Sequence, residues 1–186
     1  AVYAAQFGPV RRVPGLQQFA YWLASRQPLT PGERQASVAA TEQLFFDLVE
    51  RLEPELMIEA GAKDGGVAAR VKAILPESRS VAFEANPYTF RRFRRLHDNG
   101  KSGVEYLHLA LSDQPGEARF CVRVRHDGRP SADGQGSLLP RIARIGYGHV
   151  EVTVEATTLD TFFADDRRSP CALWMDVEGV STQVLR

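Results

Sequence analysis

The stretch Met57-Ile58-Glu59-Ala60-Gly61-Ala62-Lys63-Asp64-Gly65-Gly66 constrains the fold of this 186-residue chain more than any other. An apolar run enters an acidic residue, then a glycine-bearing loop, then helical spacing from Val67. Glycine adopts positive φ without cost and lets a ligand approach the backbone closely. The following helix N-terminus offers N–H groups with no intrahelical partner. A Rossmann-type domain opens its nucleotide site this way, although a strand–glycine–helix turn also occurs with no ligand.

The rest of the chain supports that reading of the fold. Leu56–Glu59 reads as a first strand and Val67–Leu75 as its helix, stopped by Pro76. Ser80–Glu84 reads as a second strand, and Asn86-Pro87 opens a helix to about Asn99, with Gly100 as its stop. Val104–Leu111 is a third strand. A βαβαβ series implies a parallel sheet with right-handed crossovers. Ala118–Val124 and Val150–Val154 then alternate apolar and polar residues, as antiparallel or edge strands do. Between them Arg125–Gly148 is rich in Gly, Ser, Pro and Arg and reads as a long loop, which is more often functional than inert. Thr158–Phe163 reads as a short helix, Ala172–Asp176 as a further buried strand, and a last helix follows Gly179.

Ahead of this alternation, residues 1–14 form an irregular lead-in. Two helices follow, Gly15–Arg26 with Leu16, Phe19, Trp22 and Leu23 inward, and a second to about Leu52. Thr30-Pro31-Gly32-Glu33 starts the second with a capping box. Its expected inward residues are Val38, Leu44, Phe45, Leu48 and Val49. Residues 1–54 are thus expected to be a helical extension and 55–186 an α/β domain, with a Rossmann-like, mostly parallel sheet and helices on both faces.

Composition narrows the function. Hydrophobic residues at 44% and charged residues at 25% suit a globular core, and the formal net charge of zero argues against nucleic-acid binding by bulk charge. The run Arg91-Arg92-Phe93-Arg94-Arg95 reads as a solvated helix face, with Phe90, Phe93 and Leu96 inward. Cys121 and Cys171 form no metal or disulfide pattern, which fits a reducing, cytoplasmic compartment. No apolar run approaches about 18 residues, and no signal peptide is recognisable. The chain begins at Ala1 rather than Met, as a window on a longer protein would.

Glu84 ends the second strand about 25 residues after the start of the glycine loop, where a carboxylate accepts both hydroxyls of an adenosine ribose. Such charge-assisted bonds contribute roughly 1.5–3 kcal/mol each. The dinucleotide pattern Gly-x-Gly-x-x-Gly is not met, because Lys63 takes the middle position. Glu59 would repel a pyrophosphate but would hold an ammonium group. S-adenosylmethionine carries such a group and no phosphate, so it is preferred to NAD as the expected cofactor. Lys63 either pairs with the methionine carboxylate or points to solvent.

With these residues in place, the chain from about Met57 to Arg186 resembles the FkbM-type class I S-adenosylmethionine-dependent methyltransferases. The family's Asp-x-Gly-Ala-Asn-x-Gly loop corresponds to Glu59-Ala60-Gly61-Ala62-Lys63-Asp64-Gly65, and Phe-Glu-Pro-Asn-Pro to Phe83-Glu84-Ala85-Asn86-Pro87. Its Ala-Leu-Ser-Asp, Gly, Phe-x-Val signature corresponds to Ala110-Leu111-Ser112-Asp113, Gly116 and Phe120-Cys121-Val122. Thr158-Leu159-Asp160-Thr161-Phe162 and Trp174-Met175-Asp176-Val177-Glu178-Gly179-Val180-Ser181 match its last two motifs. The departures are Lys63 for Asn, Trp174 for Lys and Ser181 for Glu.

The resemblance implies a methyltransferase whose last strands would follow Arg186. Glu59, Gly61 and Gly65, with Ala62 and Lys63 in the loop, would surround the methionine part. Glu84, beside Ala85 and Asn86, would take the ribose, and Ser112 with Asp113 the adenine edge. Asp176 and Glu178 would face the methyl group and acceptor, with Asp176 the first candidate base. His149 is the second, although a lone histidine beside a strand is more often structural. His97, His108 and His126 carry no better case. The expected reaction is O-methylation of a sugar or small-metabolite hydroxyl, with no metal, nucleic acid or membrane. A catalytically silent binding or scaffold domain is the alternative that the three departures motivate, and an NAD-dependent oxidoreductase is disfavoured by the glycine pattern.

Overall fold

The computed structural model describes residues 30–139 and 148–185. The expected helix Gly15–Arg26 and the lead-in lie outside these residues, as does the 140–147 part of the expected loop. The chain divides into two compact units, residues 1–48 and 49–186.

Helix α1 (Pro31–Leu52) starts at the expected capping box. Glu33 Oε2 accepts from the Thr30 N–H at 2.9 Å, and Thr30 Oγ1 accepts from the Glu33 N–H at 3.3 Å. The inward stripe differs from expectation. Phe46 and Val49 are buried, whereas Val38, Leu44 and Leu48 are exposed. At 100° per residue, Leu44 and Leu48 each lie about 200° from Phe46. The helix carries apolar residues on both sides, so spacing alone could not decide between them.

In the second unit β1 (Leu56–Ala60), β2 (Arg79–Phe83), β3 (Val104–Leu107) and a late strand, here β8 (Cys171–Met175), form a four-stranded sheet in the order β3-β2-β1-β8. All three pairings are parallel. From β1 the chain steps outward to β2 and β3, then returns to the other side of β1 as β8. In open α/β sheets a ligand crevice forms outside the strand carboxyl ends where the order reverses, here between β1 and β8.

Every residue of β1 is buried, as a strand covered on both faces requires. Leu56, Ile58 and Ala60 pack with Val81 and Phe83 beneath Phe162 and Phe163, and Val180 and Val184 join the same cluster. Helix α2 (Gly66–Ile74) covers the opposite face, across β1, β2 and β3. The arrangement is Rossmann-like, with helices on both faces. At the amino end of β2, Arg79 donates to Glu105 at 2.8 Å and to Asp166 at 2.7 Å, fastening β3 and the chain before β8 to that edge.

The expected third strand is two. After Leu107 the chain breaks at His108-Leu109, and β4 (Ala110–Leu111) leaves for a second sheet ordered β4-β7-β5-β6. There β4 pairs in parallel with Ala156 and Thr157, a competing partner that sequence periodicity does not show. The two expected antiparallel or edge strands are present and pair with each other: β5 (Gly116–Arg123) runs against β7 (His149–Thr157) over eight residue pairs. Two residues of the long loop, Gly136–Ser137, add strand β6 to β5.

Helix α3 also differs from expectation. It spans Pro87–Phe93, capped by Asn86 Oδ1, and gives way to 3₁₀ turns at Arg94–Leu96 and Asp98–Gly100. The tighter winding turns His97 inward and leaves Leu96 exposed. The four arginines remain on the surface, with Arg91 over Tyr88 and Arg92 over Phe93. Helix α4 (Leu159–Phe162) is capped by Thr158, and α5 (Ser181–Val184) closes the described chain. Both cysteines are free, Cys121 buried and Cys171 exposed. Among the described residues no helix is long and apolar enough to cross a membrane.

Candidate active site at the carboxyl edge of the parallel sheet

Strands β1, β2 and β8 deliver Gly61, Glu84, Asp176 and Glu178 to one cavity at the reversal of strand order. Gly61 is required by its position. Its φ is +77°, and a Cβ there would stand 2.2 Å from the Asp176 carbonyl oxygen. The loop thus leaves β1 in contact with the backbone that leaves β8, and the Asp176 N–H donates to the Ala60 carbonyl at 2.9 Å.

Glu84 is buried at 4% exposure yet lines the cavity. Its two oxygens accept backbone N–H groups, Oε2 from Lys63 at 2.7 Å and Oε1 from Asn86 at 2.6 Å. Burial pushes this carboxyl up to about 7, against the pull of those two N–H groups. Phe83, Leu109, Ala110, Leu111 and Phe120 supply apolar wall around it.

Glu59 goes elsewhere. Its Oε2 accepts from the Ala68 N–H at 2.7 Å, inside the first turn of α2, and it does not line the cavity. The N-cap residue of α2 is Gly65, which has no side chain to offer the first-turn donors, so the buried Glu59 takes that role. Burial raises the Glu59 carboxyl to about 7; the Ala68 and Val67 N–H groups lower it, and Asp64 and Glu84 raise it further. The pair 59 and 84 is therefore not a grip from two sides: Glu84 faces the cavity and Glu59 holds the helix.

These carboxyls set a pH dependence. Each folded value, about 7, lies above the ordinary 4.5. The folded state therefore keeps protons that the unfolded chain releases between those values, and the associated stability is full below the unfolded value and lost as pH rises through about 7. Urea unfolding is expected to show declining stability from about pH 5 to 7.5, with a shallower decline in Glu59→Gln. The carboxyls held below their usual range, Asp166, Glu105, Asp133 and Glu33, titrate under this window.

The other expected site residues divide. Ala85 lines the cavity, while Asn86 is fully buried, capping α3 and donating from Nδ2 to the Ser131 carbonyl at 3.2 Å. Ala62 is buried, and Gly65, at φ +69°, lies against the His97 ring. Lys63 adopts φ +52°, and its side chain packs beside Gly134 rather than in the cavity. Ser112 and Asp113 line a separate depression of about 360 Å³, and Leu138 lines both spaces. His149 begins β7 opposite Arg123, away from the cavity lining. Of the three departures, Trp174 sits in β8 in register with Glu59, and none of Lys63, Trp174 and Ser181 lines the cavity.

A strap, residues 131–139, was legible only as loop. The Arg92 guanidinium donates to the Ala132 carbonyl at 3.3 Å, the Gly134 N–H to Thr89 Oγ1 at 3.1 Å, and Ser137 Oγ to the Glu178 carbonyl at 2.6 Å. Gly134, Gly136, Ser137 and Leu138 line the cavity, whose volume is about 50 Å³. Sites for small molecules typically enclose about 300–1,000 Å³.

The lining holds three carboxyl groups, those of Glu84, Asp176 and Glu178, and among the described residues no lysine or arginine lines it. Such a space favours a cationic guest over a phosphate or pyrophosphate. The donors therefore fit a cationic guest such as an adenosyl sulfonium ligand, although the volume is smaller than such a ligand fills. Among the described residues no group of three or more His, Cys, Asp or Glu side chains is arranged to hold a metal ion.

A family model described as the methyltransferase FkbM domain matches residues 59–186. Neither the comparison with curated proteins nor that with solved structures produced a match.

Proposed function

This chain belongs to the FkbM methyltransferase family, and from that premise we propose that it is an S-adenosylmethionine-dependent O-methyltransferase acting on a hydroxyl of a sugar or other small metabolite. The observation that carries the proposal is the cavity at the reversal of strand order, into which Gly61, Glu84, Asp176 and Glu178 are brought together. Glu84 takes the ribose hydroxyls with the lone pairs its two backbone bonds leave free. Gly61 keeps the loop close to β8, so that the carboxyl ends of β1 and β8 share one crevice. Bound there, S-adenosylmethionine supplies a methyl group on a cationic sulfur. Asp176, exposed at the end of β8, accepts the proton of the acceptor hydroxyl, and Glu178 adds negative potential beside it. His149 is too poorly placed to compete for that role.

General-base assistance contributes a factor of about 10²–10⁴. Asp176→Asn is accordingly expected to lower methyl transfer by about that factor while S-adenosylhomocysteine binding, followed by calorimetry, stays near the native value. Equal loss of both would remove Asp176 from the base role. The acceptor is a small molecule on this reading, since the exposed arginines of α3 are accounted for by ring contacts and solvent.

A catalytically silent domain is the second reading, and the small volume of the cavity, about 50 Å³, is what favours it. Its hallmark is native protein that shows no thermal shift with millimolar S-adenosylhomocysteine.

A further inference from the structure

Lys63 is a non-glycine residue in the left-handed region, at φ +52°. Such a conformation costs of order 1 kcal/mol and persists where surrounding groups over-determine it. Here it is fixed at both ends. Its N–H donates to Glu84 Oε2 at 2.7 Å, and its carbonyl accepts from the Tyr106 hydroxyl. The next carbonyl, of Asp64, is also held, 2.8 Å from His97 Nε2. A carbonyl only accepts, so Nε2 carries a proton, and Nδ1 lies 2.7 Å from the Ser102 hydroxyl. The His97 ring stacks on Tyr106 with centroids 4.6 Å apart, and Phe90 and His108 extend the stack.

We propose that Tyr106 and His97 are positioning residues: they hold the carbonyls of Lys63 and Asp64 toward β3, which aims the Lys63 N–H at Glu84 and sets the carboxylate for the ribose. The proposal builds on the adenosyl site described above and assigns two residues that touch no ligand. The hydroxyl of Tyr106 stays a donor throughout the working pH range. Burial first, then the fields of Glu84, Asp64 and Glu59, raise its pKa. No sequence spacing ties 63, 97 and 106 together; only the packing of the 3₁₀ turns against β3 does.

Two measurements on the whole protein test it. The first needs no cofactor. The Lys63 amide proton, bonded to Glu84, is expected to move with Glu84 titration in NMR spectra of the native protein, and to lose that movement in Tyr106→Phe. An amide that titrates identically in the variant overturns the proposal. The second is calorimetry with S-adenosylhomocysteine. Tyr106→Phe is expected to weaken binding about fivefold, the scale of one lost neutral hydrogen bond. In a Lys63→Gly background, where the left-handed turn carries no strain, the same change is expected to cost less than about twofold. Equal losses in both backgrounds would mark Tyr106 as merely structural and overturn the proposal. If the native protein binds no S-adenosylhomocysteine, the proposed function fails, and the amide titration still decides whether Tyr106 positions Lys63.

Discussion

Glu84→Gln is expected to weaken S-adenosylhomocysteine binding about a hundredfold, with two hydrogen bonds to a charged group each contributing roughly 1.5–3 kcal/mol. The variant keeps size and shape, so the loss is chemical. Both native oxygens accept backbone N–H groups, from Asn86 at 2.6 Å and from Lys63 at 2.7 Å. A glutamine has one oxygen, so its NH₂ must face one of those donors. A buried donor left without an acceptor costs about 1–3 kcal/mol, so folding stability should fall as well. Calorimetry on the native protein and the variant, with urea unfolding of both, separates the two effects. Undiminished affinity in the variant would take the ribose away from Glu84 and remove the main support for an adenosyl site.

Gly61→Ala is expected to be the most damaging single substitution in the second unit, lowering stability by about 4 kcal/mol or more. The added Cβ would lie 2.2 Å from the Asp176 carbonyl oxygen and 2.9 Å from its carbon. These are backbone atoms between two hydrogen-bonded parallel strands, so no rotamer change relieves the overlap. The φ of +77° adds strain of its own. Gly32→Ala is the control, since a Cβ at Gly32 meets nothing within 4 Å. Chemical unfolding should show a large fall in midpoint for the first and none for the second. A Gly61→Ala protein of native stability would mean that β1 and β8 are not locked together as described.

Sequence was a good guide where chemistry is local. The glycine loop, the acid at the end of β2, the helix starts at Thr30 and Asn86, and the antiparallel texture of β5 and β7 all follow from residue types at short spacing. It was a poor guide where a distant partner decides. Val104–Leu111 has the run of one strand, but Ala110 and Leu111 find a better neighbour in β7 and leave the parallel sheet. The acidic character of Glu59 suggested a ligand contact, yet the missing side chain at Gly65 makes the helix N-terminus the nearer claimant. Ser112 and Asp113 follow the cavity wall in sequence but fall beyond Leu138. On α1, the side that is buried depends on what covers it, which spacing does not encode.

The strap has a consequence for how such a domain diversifies. It grows from β5 and β6 of the mixed sheet, whereas the groups proposed to hold the adenosyl donor stand on the all-parallel one. Lengthening or recolouring that arm between its anchors at Ser131 and Ser137 would redraw the entrance and leave the strands β1, β2 and β8 in place. On the proposed function, choice of acceptor and retention of donor are inherited through separate pieces of polypeptide, free to change at different rates.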